Sequence, residues 1–277
     1  MTGTLFLVGT PIGNLGDLSD RARETLAAVD LVAAEDTRRA GRLLQGLGIR
    51  RPMRSYFDGN ERARTDEILG RLREGADVAL VTDGGMPAVS DPGYRLVAAC
   101  VDAEIEVRVV PGPSAAIAAL VLSGLPTDRF VFEGFAPRRP ADRRARLIAL
   151  LDEPRTIVFF ESPKRARALL FEIADVMPDR RVALARELTK LHEEVLRGSA
   201  ADVLDRLGGV DPRGEVAVVV AGAHGVAAGA LDVAVEEAWE MVAGGMRKRG
   251  AARAAAERHH VAANDVYRAL VGDVGSE

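Results

Sequence analysis

The chain has 277 residues, of which 48% are hydrophobic and 28% are charged, and its formal net charge is -4 at pH 7. This balance is typical of a globular protein long enough for two domains. It excludes a surface coated in positive charge, so any contact with nucleic acid must rest on local basic segments. The single cysteine, Cys100, excludes an intramolecular disulfide framework and a multi-cysteine metal site, and its apolar neighbours predict a buried thiol.

Short apolar runs rich in Val, Leu and Phe alternate with longer amphipathic segments, which predicts strands alternating with helices in a mostly parallel sheet. The first predicted strands are TLFLVGT, DLVAAED, DVALVTD and EVRVVPG. LSDRARETLAAV illustrates the helical pattern, with Leu18, Leu26 and Val29 close to one face and either Asp17 or Ser19 as the N-cap. The N-terminal stretch 1–15 lacks a secretory leader, and no apolar run approaches the roughly 20 residues that cross a bilayer, which predicts a cytoplasmic protein.

A second set of predicted strands follows PGPSAAIAALVLSGLP: RFVFEGF, TIVFFES, RVALARE, EEVLRGS and GEVAVVVAG. The later strands come close together along the chain, so this half is expected to form a mixed sheet. The sequence therefore predicts an α/β fold with an N-terminal domain over residues 1–112 and a C-terminal domain over residues 113–223. The Gly- and Ala-rich stretch AGAHGVAAGALD predicts a linker to a small helical tail, so that residues 224–277 form a further element.

Three predicted strands of the first half end in loops rich in Gly and Pro: GTPIGNLGDLS, TDGGMPAVSDPG and PGPSAA. Because the carboxyl ends of parallel strands share one edge of a sheet, where α/β proteins bind ligands, the loops are expected to converge on one site. They match neither G-x-G-x-x-G nor a P-loop. Without a cluster of Lys or Arg they favour a nucleoside or amino-acid-like ligand over a multiply charged phosphate. Each loop alone is equally explained as a tight connection from strand to helix.

An ordered set of motifs over residues 9–222 resembles the ribosomal RNA small subunit methyltransferase I family of the tetrapyrrole-methylase superfamily. The motifs are GTPIGNLGDLS, AAEDTRR, VTDGGMPAVSDPG, VPGPSAA, FEGFAPR, FFESPKR, ARELTKLHEEVLRG and GEVAVVVAG. The resemblance implies two α/β domains with S-adenosylmethionine (SAM) in a cleft between them, and a homodimer. It also implies methyl transfer to the ribose 2'-oxygen of cytidine 1402 in 16S ribosomal RNA of the small ribosomal subunit. Such a reaction requires no metal ion.

The resemblance also implies which residues bind the cofactor. Those whose backbone wraps it match the loop TDGGMPAVSDPG: Asp83, Gly84, Gly85, Met86 and Val89. Outside that loop, Pro11 shapes the floor, Ser114 and Ala115 contact the methionine part, and Phe160 and Ala217 line the pocket from the second domain. Gly84 and Met86 stand where relatives often have Ala and Thr, which predicts local differences in the cofactor contacts.

The stretch ARELTKLHEE concentrates charged side chains at the end of a predicted strand. A ribose hydroxyl is a poor nucleophile until its proton is taken. We therefore expect Glu187 or His192 to accept this proton, and Lys190 to place the nucleotide or to make its hydroxyl more acidic. The alternative is a solvated charged loop with an internal ion pair. The motif AAEDTRR is expected to shape the site or the path of the RNA, with helix N-capping by Asp36 or Thr37 as the alternative.

Two basic segments are candidates for RNA contacts, because clustered Arg and Lys bind phosphates. Residues from FAPRRPADRRARL are Arg138, Arg139, Arg143 and Arg144, and residues from MRKRGAARAAAERHH are Arg247, Lys248 and Arg249. Solvated helix faces explain both segments equally well. The rival functions are methylation of a small tetrapyrrole on the same fold, and RNA binding without catalysis in ribosome assembly. The basic segments and ARELTKLHEE favour RNA over a tetrapyrrole, and the intact cofactor loops argue against a non-catalytic role.

Overall fold

A computed structural model of the protein describes residues 2–223, 230–259, 261 and 263–271. Half of the predicted linker, residues 224–229, and the end of the predicted tail lie outside these residues. The chain divides into two compact units. The first comprises Met1–Ala118 with Glu187–Glu193, and the second comprises Ala119–Arg186 with Glu194–Glu277. The domain limits at residues 112 and 223 stay predictions.

The first unit is built on a five-stranded sheet. Its strands are β1 (Leu5–Val8), β2 (Leu31–Ala34), β3 (Met53–Ser55), β4 (Val78–Val81) and β5 (Val107–Val110). They run parallel in the order β3-β2-β4-β1-β5. Every residue of β2 and β4 is buried, as expected for central strands covered on both faces. Sequence reasoning missed β3 because this three-residue strand at the sheet edge lacks an apolar run.

Helices cover both faces of this sheet. They are α1 (Asp20–Ala28), α2 (Thr37–Gly46), α3 (Glu61–Arg73) and α4 (Tyr94–Asp102), with a 3₁₀ turn at Leu15–Asp17. A fifth helix, α5 (Ala115–Ser123), begins in this unit and ends in the second. One apolar core contains residues of α1 and α2, and the core on the other face contains residues of α3 and α4. Cys100 lies in the latter, where burial raises the pKa of its thiol to about 11, so the predicted buried thiol is confirmed.

Two helix starts in this unit follow the expected capping chemistry. The Ser19 side chain accepts a hydrogen bond from the Ala22 amide at 3.1 Å and thereby caps α1. The Asp36 carboxylate accepts one from the Arg38 amide at 2.8 Å and caps α2. Hydrogen bonds from Arg38 lower the pKa of Asp36, which keeps this cap ionised.

The second unit contains a mixed five-stranded sheet, as predicted. Its strands are β6 (Phe130–Phe135), β7 (Thr156–Glu161), β8 (Arg181–Arg186), β9 (Glu194–Ser199) and β10 (Val216–Val220). Their order is β6-β7-β10-β8-β9, in which β6 and β7 are parallel and the remaining neighbours are antiparallel. Helices α6 (Pro140–Ala149), α7 (Pro163–Val176) and α8 (Ala200–Arg206) belong to this unit.

The predicted helical tail is confirmed as three helices, α9 (Ala230–Ala243), α10 (Lys248–Arg258) and α11 (Ala263–Val271). They share their own apolar core, in which alanines of α9 and α10 pack with Val266 and Leu270 of α11. Alanine permits helices to approach closely, because it has almost no side chain to separate them. Within the described ranges, no helix has the length and apolar character needed to cross a bilayer.

Candidate functional site

The three Gly- and Pro-rich loops of the first unit converge, as predicted from the parallel sheet. Thr10, after β1, and Gly85, after β4, exchange two backbone hydrogen bonds of 2.9 and 3.0 Å. The Gly112 amide, after β5, donates to the sulfur of Met86 at 3.3 Å. Met86 therefore ties the β4 loop to the β5 loop.

Close packing explains the glycine that begins the first loop, Gly9, and the glycine in the third loop, Gly112. A methyl group on Gly9 would lie 2.6 Å from the Cα and N atoms of Gly112 and 2.7 Å from the Met86 sulfur. A methyl group on Gly112 would lie 2.8 Å from the Gly9 Cα atom. The ends of β1 and β5 thus meet backbone to backbone, at a distance that no side chain can enter.

The β4 loop, TDGGMPAVSDPG, is held in an irregular conformation. Gly85 and Gly93 have φ angles of 93° and 142°, which favour glycine. Ala88 and Ser90 also have positive φ angles, of 68° and 62°, although both carry side chains. Such backbone costs about 1–3 kcal/mol per residue and is concentrated at ligand-binding and active sites. The loop is therefore a shaped element rather than a simple connection between β4 and α4.

The structure brings together the predicted cofactor residues of the first unit. Those on the converging loops are Pro11, Asp83, Gly84, Gly85, Met86, Val89, Ser114 and Ala115. Ser114 caps α5, since its hydroxyl accepts a hydrogen bond from the Ile117 amide at 3.5 Å. Phe160 and Ala217 belong to the second unit, where they face each other on β7 and β10. There Phe160 packs edge-on against Phe132, with 4.9 Å between ring centroids.

Carboxylates surround Asp83 at the edge of the first sheet. The Asp83 amide donates to Glu35, at the end of β2, over 3.3 Å, and burial raises the pKa of Glu35. Burial, together with the charge of Glu35, raises the pKa of Asp91 to about 7. SAM carries a sulfonium and an ammonium group, which suit these acidic side chains, and a carboxylate, which suits the N-terminus of α5. In the part of the chain that the structure describes, no group of three or more His, Cys, Asp or Glu could hold a metal ion.

The raised pKa of Asp91 predicts a pH-dependent stability. The folded protein holds this proton more tightly than the unfolded chain, for which the ordinary pKa is 3.8, so stability is lost as the pH rises from that value to about 7. Asp91→Asn, which is uncharged throughout, should therefore raise the free energy of unfolding at pH 8 by about 1–2 kcal/mol, allowing for partial exposure to solvent. Near pH 4 it should change little.

Urea unfolding of the Asp91→Asn variant between pH 4 and pH 8 measures this effect. Asp66→Asn, at an exposed position of α3, is the matched control. A gain of equal size at both ends of the pH range would show that Asp91 acts through packing rather than through its charge.

Residues 187–193, which join β8 to β9, belong to the first unit and carry the predicted catalytic side chains. The Lys190 ammonium lies 2.9 Å from a Glu187 carboxylate oxygen, and both side chains are largely buried. Glu187 and Thr189 adopt positive φ angles of 51° and 65°. The Thr189 amide donates to the Glu193 carboxylate at 2.6 Å, whereas His192 is exposed. The internal ion pair considered as an alternative is present, within a tightly built turn.

Lys190 lies directly on the β1 loop. A methyl group on Gly13 would come within 2.5 Å of the Lys190 Cγ atom and 2.8 Å of its Cε atom. Gly13 is therefore required for the approach of this side chain. Since Lys190 and the three loops belong to one unit, the structure places the Lys190–Glu187 pair beside the predicted cofactor residues.

A pocket of about 210 Å³ opens within the first unit between the β1 loop, the end of β4 and α2. Gly13, Pro11 and Asp83 line it, together with Arg39 and Leu43 of α2. Arg39 is ion-paired with Asp83 at 3.3 Å. The sequence marked AAEDTRR as part of the site, but Leu43 was missed because its apolar side chain follows the ordinary pattern of an amphipathic helix.

The basic segments differ in how much charge they present to solvent. Arg143 is only 6% exposed and forms a two-pronged ion pair with Glu172 at 2.6 and 3.0 Å. Arg144 pairs with Asp175, whereas Arg138 and Arg139 are exposed before α6.

In the tail, Lys248 donates to the Leu270 carbonyl at 2.7 Å and lies over the Trp239 ring. Arg247 and Arg249 flank it and are exposed. Arg143 is therefore held in a largely buried ion pair, whereas Lys248 is engaged with α11 and Trp239 although the residue is exposed.

Comparison with known proteins shows the family to which the chain belongs. Residues 4–204 match the family model described as Tetrapyrrole (Corrin/Porphyrin) Methylases. Proteins named Ribosomal RNA small subunit methyltransferase I from Micromonospora olivasterospora, Thermotoga maritima and Mycobacterium tuberculosis are 52%, 49% and 48% identical to the chain. These alignments cover 80%, 79% and 93% of this chain and 71%, 99% and 90% of the relatives.

Solved structures share the fold. Uroporphyrin-III-C-methyltransferase from Thermus thermophilus has a TM-score of 0.56 and 26% identity, over 80% of this chain and 94% of that chain. A structure described as Uroporphyrin-III C-methyl transferase from Thermus thermophilus complexed with S-adenyl homocysteine has a TM-score of 0.55 and 20% identity, over 79% of this chain and 97% of that chain. The chain therefore belongs to the ribosomal RNA small subunit methyltransferase I family of the tetrapyrrole methylases, and it is a SAM-dependent methyltransferase.

Proposed function

We propose that the protein methylates the ribose 2'-oxygen of a cytidine in 16S ribosomal RNA, at the position, cytidine 1402, that the family resemblance implies. The observation that carries the proposal is the Lys190–Glu187 pair lying against Gly13 of the β1 loop. The name and the identity of the relatives support ribosomal RNA as the substrate. We further propose that the protein acts in the cytoplasm, as a homodimer, on the small ribosomal subunit.

The cofactor residues of the proposal are those predicted from the sequence. On the first unit they are Pro11, Asp83, Gly84, Gly85, Met86, Val89, Ser114 and Ala115, and on the second they are Phe160 and Ala217. When bound, SAM supplies a methyl group that its sulfonium charge already activates. The remaining tasks of the protein are to align the ribose oxygen, to remove its proton and to exclude water.

Lys190 and Glu187 suit these remaining tasks. An ammonium group beside the ribose hydroxyl favours the oxygen as it becomes negative, and so makes its proton easier to remove. Glu187, 2.9 Å from that ammonium, is the proposed acceptor of the proton. His192 is the alternative base on the same turn, at an exposed position. Transfer of the methyl group would break its bond to the sulfonium sulfur, leaving S-adenosylhomocysteine, and form the O–CH₃ bond, while the proton passes from O2' to this base.

The RNA contacts of the proposal concentrate on exposed arginines. Arg138→Ala with Arg139→Ala should weaken binding of 16S RNA about tenfold near physiological salt, and should reduce the slope of log K against log salt by about 1.5–2, since two phosphate contacts are lost. Affinity for SAM should stay close to wild type. Filter binding over a salt series measures both quantities. Arg21→Ala with Arg23→Ala, on the exposed face of α1, is the control, and an equal loss in that variant would contradict a local contact.

The proposed function is tested by methyl transfer from isotopically labelled SAM to small ribosomal subunits that lack the modification, with the product nucleoside identified by mass spectrometry. We expect 2'-O-methylcytidine, and no incorporation into subunits that already carry it. A base-methylated nucleoside or a different 2'-O-methylated one would overturn the cytidine assignment. Transfer to a tetrapyrrole instead of RNA, or SAM binding without transfer to subunits or to free 16S RNA, would support the corresponding rival function.

A further inference from the structure

The pocket beside α2 lies on the opposite side of the β1 loop from the β5 loop. In the sheet order β3-β2-β4-β1-β5, β5 lies on one side of β1, and β4 and β2 lie on the other. Ser114 and Ala115 follow β5, whereas α2 follows β2. Only Pro11 and Asp83 belong both to the proposed cofactor set and to the pocket lining. The pocket therefore extends the site beyond the cofactor loops. Most of its lining residues have no proposed role in binding the cofactor.

We infer that this pocket receives the base and sugar of the nucleotide to be methylated, and that Arg39 at its rim binds the adjoining phosphate. The inference rests on the proposed function and names the place where its substrate binds. Enzymes that modify one nucleotide take it out of its stack into a fitted pocket, and unstacked RNA bases are recognised by apolar contact and by hydrogen bonds to their edges.

The size and lining of the pocket suit one nucleoside. Its volume, about 210 Å³, is below the range of about 300–1,000 Å³ that is typical of sites for drug-sized ligands, so the pocket suits a single small ring system. The apolar residues that would lie against a base are Pro11, Leu15, Ala40, Leu43 and Val81.

Two threonines lie in the same wall. The Thr82 side chain is buried, and its hydroxyl interacts with the Asp91 carboxyl. Next to it, the Thr10 hydroxyl donates to the Thr82 carbonyl at 3.2 Å.

The position of the Lys190–Glu187 pair agrees with this assignment. Gly13 lines the pocket, and the Lys190 side chain lies on Gly13. A sugar at the mouth of the pocket would therefore present its hydroxyl beside the ammonium group and the proposed base. The three cofactor loops, the pocket and the proposed general base, Glu187, all belong to the first unit.

Arg39 differs from its neighbour Arg38 in a way that makes the inference testable. Both follow the N-cap of α2, but Arg38 is 84% exposed, pairs with Asp36 and does not line the pocket. Arg39 lines the pocket and pairs with Asp83 at 3.3 Å through a half-exposed side chain. Because exposed ion pairs contribute little, Arg39 can exchange the carboxylate for a phosphodiester, for which the guanidinium fork is well shaped.

The first test compares turnover of matched variants on subunits that lack the modification. Arg39→Ala should lower kcat/KM for subunits by about 10–100-fold, the value of a charge-assisted hydrogen bond, and Arg39→Lys should recover part of it. Arg38→Ala should stay within about threefold of the wild-type kcat/KM.

A second pair of variants tests the pocket itself. Leu43→Trp, which fills the pocket, should lower kcat/KM by at least about 100-fold. Leu47→Trp, at the end of the same helix and outside the pocket lining, should not. Binding of S-adenosylhomocysteine by calorimetry confirms that the Leu43 and Leu47 variants keep the cofactor site.

The second test does not depend on the product. Cytidine 5'-monophosphate is titrated into the full-length protein with S-adenosylhomocysteine present, and binding is detected by saturation-transfer NMR. We expect binding to wild type and to Leu47→Trp, and its loss in Leu43→Trp. Turnover and nucleotide binding at wild-type level in Leu43→Trp would overturn the inference. Equal losses of kcat/KM in Arg38→Ala and Arg39→Ala would also overturn it. If nucleotide binding depends on Leu43 while the product is not 2'-O-methylcytidine, the pocket assignment stands and the proposed function fails.

Discussion

Replacing Lys190 by alanine should lower kcat for methyl transfer by about 10²–10⁴-fold, the usual contribution of acid–base and electrostatic assistance by a placed side chain. Glu187→Gln should cause a loss of similar order, because the amide keeps the shape of the carboxylate but accepts a proton poorly. Both residues lie in a turn whose backbone is held by its own hydrogen bonds, so their replacement should leave the loops after β1, β4 and β5 in place. Affinity for SAM should therefore stay close to wild type.

Single-turnover rates on saturating subunits measure the rate of methyl transfer, and calorimetry with S-adenosylhomocysteine measures the affinity of the cofactor site. Glu24→Gln, on the exposed face of α1, serves as the control. A large loss in His192→Ala with a near-normal rate in Glu187→Gln would move the role of base to His192. Normal rates in all three variants of the turn would leave only the solvated charged loop as its explanation.

Gly9→Val should destabilise the protein by about 3 kcal/mol, the upper end of the cost of forcing extra atoms into a packed interior. The new side chain meets the Gly112 backbone at 2.6 Å, and backbone cannot move aside as the end of a flexible side chain does. The ends of β1 and β5 must separate, which displaces the Met86 sulfur from the Gly112 amide. We therefore expect cofactor affinity to fall by about tenfold or more, because the converging loops lose their alignment.

Urea unfolding and calorimetry of S-adenosylhomocysteine check both effects of Gly9→Val. Gly70→Ala is the matched control, since among the described residues nothing outside its own helix lies within 4 Å of a methyl group there. Inside α3 the added methyl should stabilise by about 0.5–1 kcal/mol. Wild-type stability in Gly9→Val would mean that the two strand ends separate without cost, and that their close contact does not align the loops.

The fold was largely predictable, because each strand carries its own signal. Runs such as VALV and VAVVV are apolar throughout, as strands covered on both faces must be. The exception is β3, whose three residues pair only through the edge of β2 and follow two arginines and a proline. Its strand conformation depends on a neighbour already in place, which local sequence does not report.

The basic segments show the limit of reasoning from composition. Arg138, Arg139 and Arg143 look alike in FAPRRPADRRARL, but only Arg143 lies where Glu172 of α7 meets it. In the same way, Lys248 differs from Arg249 because the end of α11 offers it a carbonyl. Which Arg or Lys side chain is available to contact RNA therefore depends on ion-pair and hydrogen-bond partners that are distant in the chain.

The sequence by itself determined the order of strands and helices apart from β3, the mixed character of the second sheet and the set of loops at the first sheet edge. These follow from periodicity and from glycine and proline, which act within a few residues. Tertiary structure alone decided that Gly9 meets Gly112, that Lys190 lies on Gly13 and that α2 closes a pocket with Arg39. The physical reason is that close approach and burial depend on the atoms of both partners, and these partners come from separate segments that only folding brings together.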